Sequence, residues 1–177
     1  MLPNKVALMV MRYYAEFPHL LREDLLHTQE VVSFTRAIAA GENMSAHEVE
    51  MLECAAWLHD IGCPRSKEIH GNSLPVNQQA VGREVTRELL ADFSEFSAAE
   101  KQWLEDVVGT HHQLSSSKEL RFAPLFEADI FANLLSGYHK KEQAESLYKN
   151  ALVTATSKAL FRDVVCPALG ITPLPLC

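Results

Sequence analysis

From Asn4 to Val165 the apolar residues of this chain recur at helical spacing, and no run alternates with the period of two that a half-buried strand requires. This periodicity constrains the fold more than any other feature and predicts an all-α chain. A first helix spans about Asn4 to Phe17, with Val6, Met9, Val10, Tyr13 and Tyr14 on its apolar positions, and Pro18 ends it by disfavouring helix in the preceding residue. A second runs from about Arg22 to Ala40 through Leu26, Val31, Phe34 and Ile38, with Gly41 suited to its C-terminal cap. Ser45 with Glu48, and Ser97 with Glu100, have capping-box spacing and start two more helices. The former carries Val49, Leu52, Ala56 and His59 to Gly62, and the latter Leu104, Val107, Val108 and His111. Between them, Cys63 to Pro75 reads as a polar loop, after which helical spacing resumes through Val81, Val85, Leu89 and Leu90. Beyond a turn at Ser115–Ser117, Phe122, Leu125, Phe126, Asp129 and Asn133 share one helical face. A long amphipathic helix is expected from about Lys140 to Val165, with Leu147, Ala151, Ala155 and Ala159 in register.

The chain has 177 residues, 47% of them hydrophobic, which suits one domain with a sizeable core. That domain is read as residues 1–166, a single-domain helical bundle, with 167–177 an irregular tail because of Pro167, Pro173 and Pro175. A net charge of -7 argues against partners that are nucleic-acid polymers or anionic membranes, both of which require a surplus of Lys and Arg. No apolar run approaches the roughly 20 residues of a membrane span, and the amino terminus lacks the order of a signal peptide, so a cytoplasmic location is expected. Cys54, Cys63, Cys166 and Cys177 show no CxxC pairing and are read as reduced thiols. Ile171, Leu174 and Leu176 suggest a contact surface, which leaves a homo-oligomer open.

Polar residues on the apolar faces carry the chemistry. His59 continues the row Leu52, Ala55, Ala56 and is followed directly by Asp60, so an imidazole and a carboxylate leave the end of a buried helix together. Burying both is costly unless they are paired, and a divalent cation satisfies both. His27 lies in the first turns of the second helix, His111 ends another buried row, and Asp129 stands among aromatic and aliphatic groups. His19, His47 and His139 have no such context and are read as surface residues.

The ordered set of His27 in LLHTQEV, the pair His59-Asp60 in AAWLHDIG and Asp129 in FEADIFANL resembles the HD superfamily of metal-dependent phosphohydrolases over about residues 25–135. The resemblance implies a helical bundle of the HD-domain type in which His27, His59, Asp60 and Asp129 bind one divalent metal ion: Mn, Fe, Co, Ni, Zn or Mg. It further implies attack of a metal-activated water on a phosphate ester or anhydride of a small phosphorylated substrate such as a nucleotide. Gly109-Thr110-His111-His112 is similar to the paired histidines of members that hold two or three metals, including the HD-GYP cyclic-dinucleotide phosphodiesterases. Those members usually place a histidine four residues before a helix glycine, where this chain has Gln78 before Gly82, and no GYP segment follows His112. Cys63 follows Gly62 where many relatives have lysine. A single metal is therefore the favoured reading over a second, with His111 and His112 as catalytic groups or partial second-metal ligands. Arg65, Lys67 and His70 are candidates for the phosphate-binding charge that the absent lysine would have given. The alternative is a non-catalytic signalling or metal-sensing module of the same fold.

Overall fold

A computed structural model describes residues 1–173, and among them the regular structure is entirely helical. The elements are α1 (Leu2–Tyr14), α2 (Leu21–Gly41), α3 (Ala46–Leu58), α4 (Cys63–His70), α5 (Pro75–Leu90), α6 (Ala98–Val108), α7 (Leu114–Glu119) and α8 (Ala123–Leu135). A 3₁₀ turn at Lys141–Gln143 leads into α9 (Ala144–Asn150), and α10 (Ala155–Leu160) passes through a π turn at Phe161–Val165 into α11 (Cys166–Leu169).

Two helices are apolar nearly all round, and burial follows from that. In α3, Leu52, Cys54, Ala55, Ala56 and Leu58 are fully enclosed, and α8 is buried continuously from Pro124 to Ala132. The amphipathic helices wrap them: α2 packs on both α3 and α8, α1 and α6 cover α3, and α5 lies on α6 and α4. Val6, Val10 and Tyr14 of α1, Val31 and Ile38 of α2, and Leu104, Val107 and Val108 of α6 complete one continuous core.

Both capping boxes form. Ser45 Oγ accepts from the Glu48 amide at 3.2 Å and Ser97 Oγ from the Glu100 amide at 3.3 Å, while each glutamate accepts from the serine amide in return. Such a cap stabilises its helix by about 1 kcal/mol. It sets where α3 and α6 begin, and hence which residues their far ends present.

Several segments depart from the sequence expectation. Residues 63–70 are helical, not loop: Pro64 occupies the first turn, where its missing N–H has no intrahelical role, and Gly71 at φ 70° ends the helix. The polar composition there is an outward helix face. The serines around Ser116 are likewise part of the short helix α7. Leu26 is 52% exposed instead of packed.

The expected long helix over 140–165 is broken at Ala151–Thr154 because Glu127, fully buried on α8, captures the chain there. Its carboxylate accepts from the amides of Val153 and Thr154 and from the Thr154 hydroxyl at 2.6 Å, and Thr154 in turn caps α10. The break moves the register, so Tyr148, Leu152, Phe161 and Val165 are buried while Ala155 and Ala159 are exposed. The tail starts later than expected, since Pro167 fits the first turn of α11 and Gly170 at φ 65° ends it. Leu174, Leu176 and Cys177 fall outside the described residues. Cys54, Cys63 and Cys166 are buried free thiols, and among the described residues no helix is long and apolar enough to cross a membrane.

Candidate metal centre

The far ends of α3 and α6 meet the first turns of α2 and the middle of α8 at one point. Because α3 stops at Leu58, His59 to Gly62 form a turn, closed by Ile61 N donating to Leu58 O and Cys63 N to Asp60 O, both at 2.9 Å. The turn projects His59 and Asp60 toward His27 on α2 and Asp129 on α8. His27 Nε2 lies 3.1 Å from Asp129 Oδ1, 3.5 Å from Asp60 Oδ2 and 3.3 Å from His59 Nε2. His59 Nε2 is 3.5 Å from Asp60 Oδ2 and 3.8 Å from Asp129 Oδ1. The equivalent turn after α6 supplies His111, whose Nε2 is 3.4 Å from Asp60 Oδ1, and His112, whose Nδ1 is 3.7 Å from Asp129 Oδ2. The four residues expected as ligands, and both added histidines, therefore share one cluster.

The backbone settles two tautomers. His59 Nδ1 lies 2.8 Å from Ala56 O, and His111 Nδ1 lies 2.8 Å from Val108 O. A carbonyl can only accept, so each neutral ring carries its proton on Nδ1 and aims a bare Nε2 lone pair at the carboxylates. Lone pairs of His59 and His111 thus face Asp60 from two sides, and Asp60 Oδ1 and His111 Nε2 are buried without a hydrogen-bond partner. Such a convergence of acceptors is unfavourable until a cation enters it. Atoms of His27, His59 and Asp60 lie within 4.8 Å of one another, and so do those of Asp60, His111 and His112. These mixed imidazole and carboxylate donors could hold a metal ion, with Asp129 beside the first triad.

Charge follows from the same geometry. Burial pushes the His27 imidazole down, but the hydrogen bond to Asp129 and the charges of Asp60 and Asp129 outweigh it and raise its pKa from 6.5 to about 9. For His59, burial prevails and lowers the pKa. Burial and the neighbouring His111 hold His112 down at about 4, so it is neutral at pH 7. Burial opposes ionisation of Asp60, yet His59, His111 and His27 together hold its pKa well below the ordinary carboxylate value.

Gln78 belongs to this centre although it was noted in the sequence only as a departure from a pattern. Its Oε1 accepts from the Cys63 thiol, so its amide nitrogen faces His112 Nε2 as donor and leaves the His112 proton on Nδ1, toward Asp129. This occupies the His112 lone pair and favours the His27, His59, Asp60 triad over the second one as the place for an ion. Asn133, one turn beyond Asp129 on α8, donates to Asp129 Oδ1 at 2.9 Å and orients it.

A cavity of about 350 Å³ opens onto the cluster, with Asp24, His27, Asp60, Lys67, His112 and Asp129 on its wall. His111 is not on that wall; it is buried behind Asp60. Of the three residues expected to bind phosphate, only Lys67 faces the cavity, with its ammonium 3.2 Å from Asp24 Oδ1. Arg65 is turned away to Glu88 at 2.9 Å, and His70 is exposed at the end of α4. Residues 63–70 being a helix sends Arg65 and Lys67, two positions apart, in different directions, while His70 is the last residue of α4 before the Gly71 cap. Asp24 was missed by sequence reasoning, although its spacing of three from His27 places the two on one helix face. His19 and His47 are exposed, as expected, whereas His139 is half-buried. No protein-family model, curated protein or solved structure matches this chain.

Proposed function

We propose that this protein is a metal-dependent phosphohydrolase of the HD type, acting on a phosphate ester or anhydride of a small metabolite. The observation that carries the reading is the pair of imidazole lone pairs, from His59 and His111, held by backbone carbonyls so that both point at the carboxylate of Asp60. A divalent cation held by His27, His59, Asp60 and Asp129 would lower the pKa of a water and neutralise charge on a phosphoryl oxygen. Lys67, the single Lys or Arg on the cavity wall among the described residues, supplies a binding charge for that phosphoryl group. His111 sits behind Asp60, and Gln78 fixes the neutral His112 on the wall.

The test is metal analysis of the purified protein followed by a panel of phosphate monoesters, diesters and anhydrides. Phosphate release that disappears in His59→Ala and Asp60→Asn is the expected result. Loss of turnover across the whole panel, in a folded and metal-loaded protein, would overturn it. A non-catalytic metal-sensing module is the second reading, favoured by Gln78 standing where multinuclear HD members have histidine and Cys63 where many members have lysine. Melting that depends strongly on metal, without turnover on that panel, would support it.

A further inference from the structure

Outside the ligand cluster, the metal cavity is lined by exposed apolar side chains from the two elements that carry His27 and Asp129. Leu26 directly precedes His27 on α2 and is 52% exposed, and Tyr138 follows the end of α8 and is 71% exposed. Tyr138 is set there by the helix end itself. Gly137 at φ 80° turns the chain, and His139 N donates to the carbonyl of Asn133 at 2.9 Å, the same residue whose amide orients Asp129. The Tyr138 ring has the tilted His139 ring as its aromatic neighbour, with centroids 5.6 Å apart, and most of its surface stays in water. A carbon skeleton in the cavity would cover that surface, and a planar ring covers a tyrosine face more fully than a chain does.

The charge on the wall limits what else such a ligand can carry. Glu23 and Glu30 on α2 are exposed and line the same cavity, Asp60 and Asp129 belong to the metal centre, and the Lys67 ammonium is shared with Asp24. A bound divalent ion and Lys67 together can receive one phosphoryl group. A further anionic group on the ligand would meet Glu23 and Glu30, with no second Lys or Arg on the wall among the described residues to balance it.

From this placement we infer that the cavity takes phosphate monoesters that carry a single phosphoryl group on an uncharged aromatic body, whose ring lies against Tyr138. Glu23 and Glu30 turn away bodies with more negative charge. This rests on the phosphohydrolase reading, with the metal and Lys67 at the phosphoryl end and Tyr138 at the other.

The experiment is calorimetric titration of the Mn²⁺-loaded protein with benzylphosphonate, ethylphosphonate and the para-carboxylate derivative of benzylphosphonate, which keep the phosphoryl charge of a monoester but are not hydrolysed. Benzylphosphonate is expected to bind at least about fivefold tighter than ethylphosphonate, the scale of one aromatic pair. Tyr138→Ala should bring the two within about twofold, whereas Tyr138→Phe, which retains the ring, should keep the preference. The para-carboxylate should bind at least about threefold more weakly than benzylphosphonate at low ionic strength, and Glu23→Gln with Glu30→Gln should remove that difference. All three side chains are exposed, so these variants leave the core untouched. Equal affinity of the wild type for benzylphosphonate and ethylphosphonate overturns the inference, as does an undiminished preference in Tyr138→Ala or a para-carboxylate that binds as tightly as its parent. Phosphonate binding without ring preference removes only this inference, while no binding of any of the three removes the phosphohydrolase reading and this inference with it.

Discussion

Gly62 and Gly82 meet backbone to backbone where the turn after α3 crosses α5: a Cβ on Gly62 would lie 2.5 Å from Gly82 N and 2.2 Å from Gln78 O. No side chain fits between them. The contact seats the His59-Asp60 turn against α5 and brings Gln78 within reach of both Cys63 and His112.

Gly62→Ala should therefore destabilise the protein through overpacking against backbone that cannot rotate away, by about 1–3 kcal/mol. A fall in Tm of at least about 2 °C is expected for a domain of this size, together with weaker metal binding because the turn must shift. Thermal melting with and without added Mn²⁺ measures both. An unchanged Tm would show that the two helices separate freely.

His59→Ala removes a lone pair that the Ala56 carbonyl aims at the centre. Loss of an orienting group near a metal typically weakens binding 10- to 100-fold, so loss of this ligand should cost more than about 100-fold. Competition against a chromophoric chelator reads the affinity directly. A shift of less than threefold would remove His59 from the ligand set.

The metal-free protein should respond to pH through His27. Its pKa in the fold is about 9 against 6.5 in a free imidazole, so the protonated ring favours the folded state. That contribution is complete below pH 6.5 and is lost as the pH rises through about 9. The apo Tm should fall across this window, and His27→Gln should flatten part of the slope. His111, also raised against the effect of its burial by the nearby Asp60 carboxylate, contributes with the same sign. An entering cation must displace the His27 proton, so metal affinity should rise with pH over the same range. Calorimetry in buffers of different ionisation enthalpy counts the protons released; zero at pH 7.5 would contradict the assignment.

Glu127→Ala should be among the costlier single changes in the protein, although Glu127 belongs to neither ligand triad. The carboxylate accepts from two amides and a hydroxyl at the start of α10, and these donors are left without it. Unsatisfied donors cost about 1–3 kcal/mol each and do not add fully, so a loss of about 3 kcal/mol is expected from urea denaturation. Glu127→Gln keeps an acceptor oxygen and should lose less than half as much. Equal losses in the two variants would mean that the cost lies in packing.

Helical period, two capping boxes and the ordered His, His-Asp, Asp set were legible in the sequence because each depends on residues a few positions apart. Spacing of three and four marks a buried face, and Ser45 or Ser97 needs only its own glutamate to start a helix. The same local logic misread residues 140–165, where the deciding group is remote, and residues 63–70, whose own signals are Pro64 in the first turn and Gly71 at the end. Glu127 breaks a helix from 26 positions away. Gln78 contacts Cys63 and His112 only because Gly62 lets α5 close on the turn. Tertiary structure alone decided that Lys67 faces the cavity while Arg65 turns to Glu88, since that depends on where α5 and α2 lie around α4. It also decided that the lone pairs of His59 and His111 converge on Asp60. The sequence by itself determined which side chains are candidates to bind a metal, but the direction of a lone pair is set by packing and by the carbonyl at the other ring nitrogen.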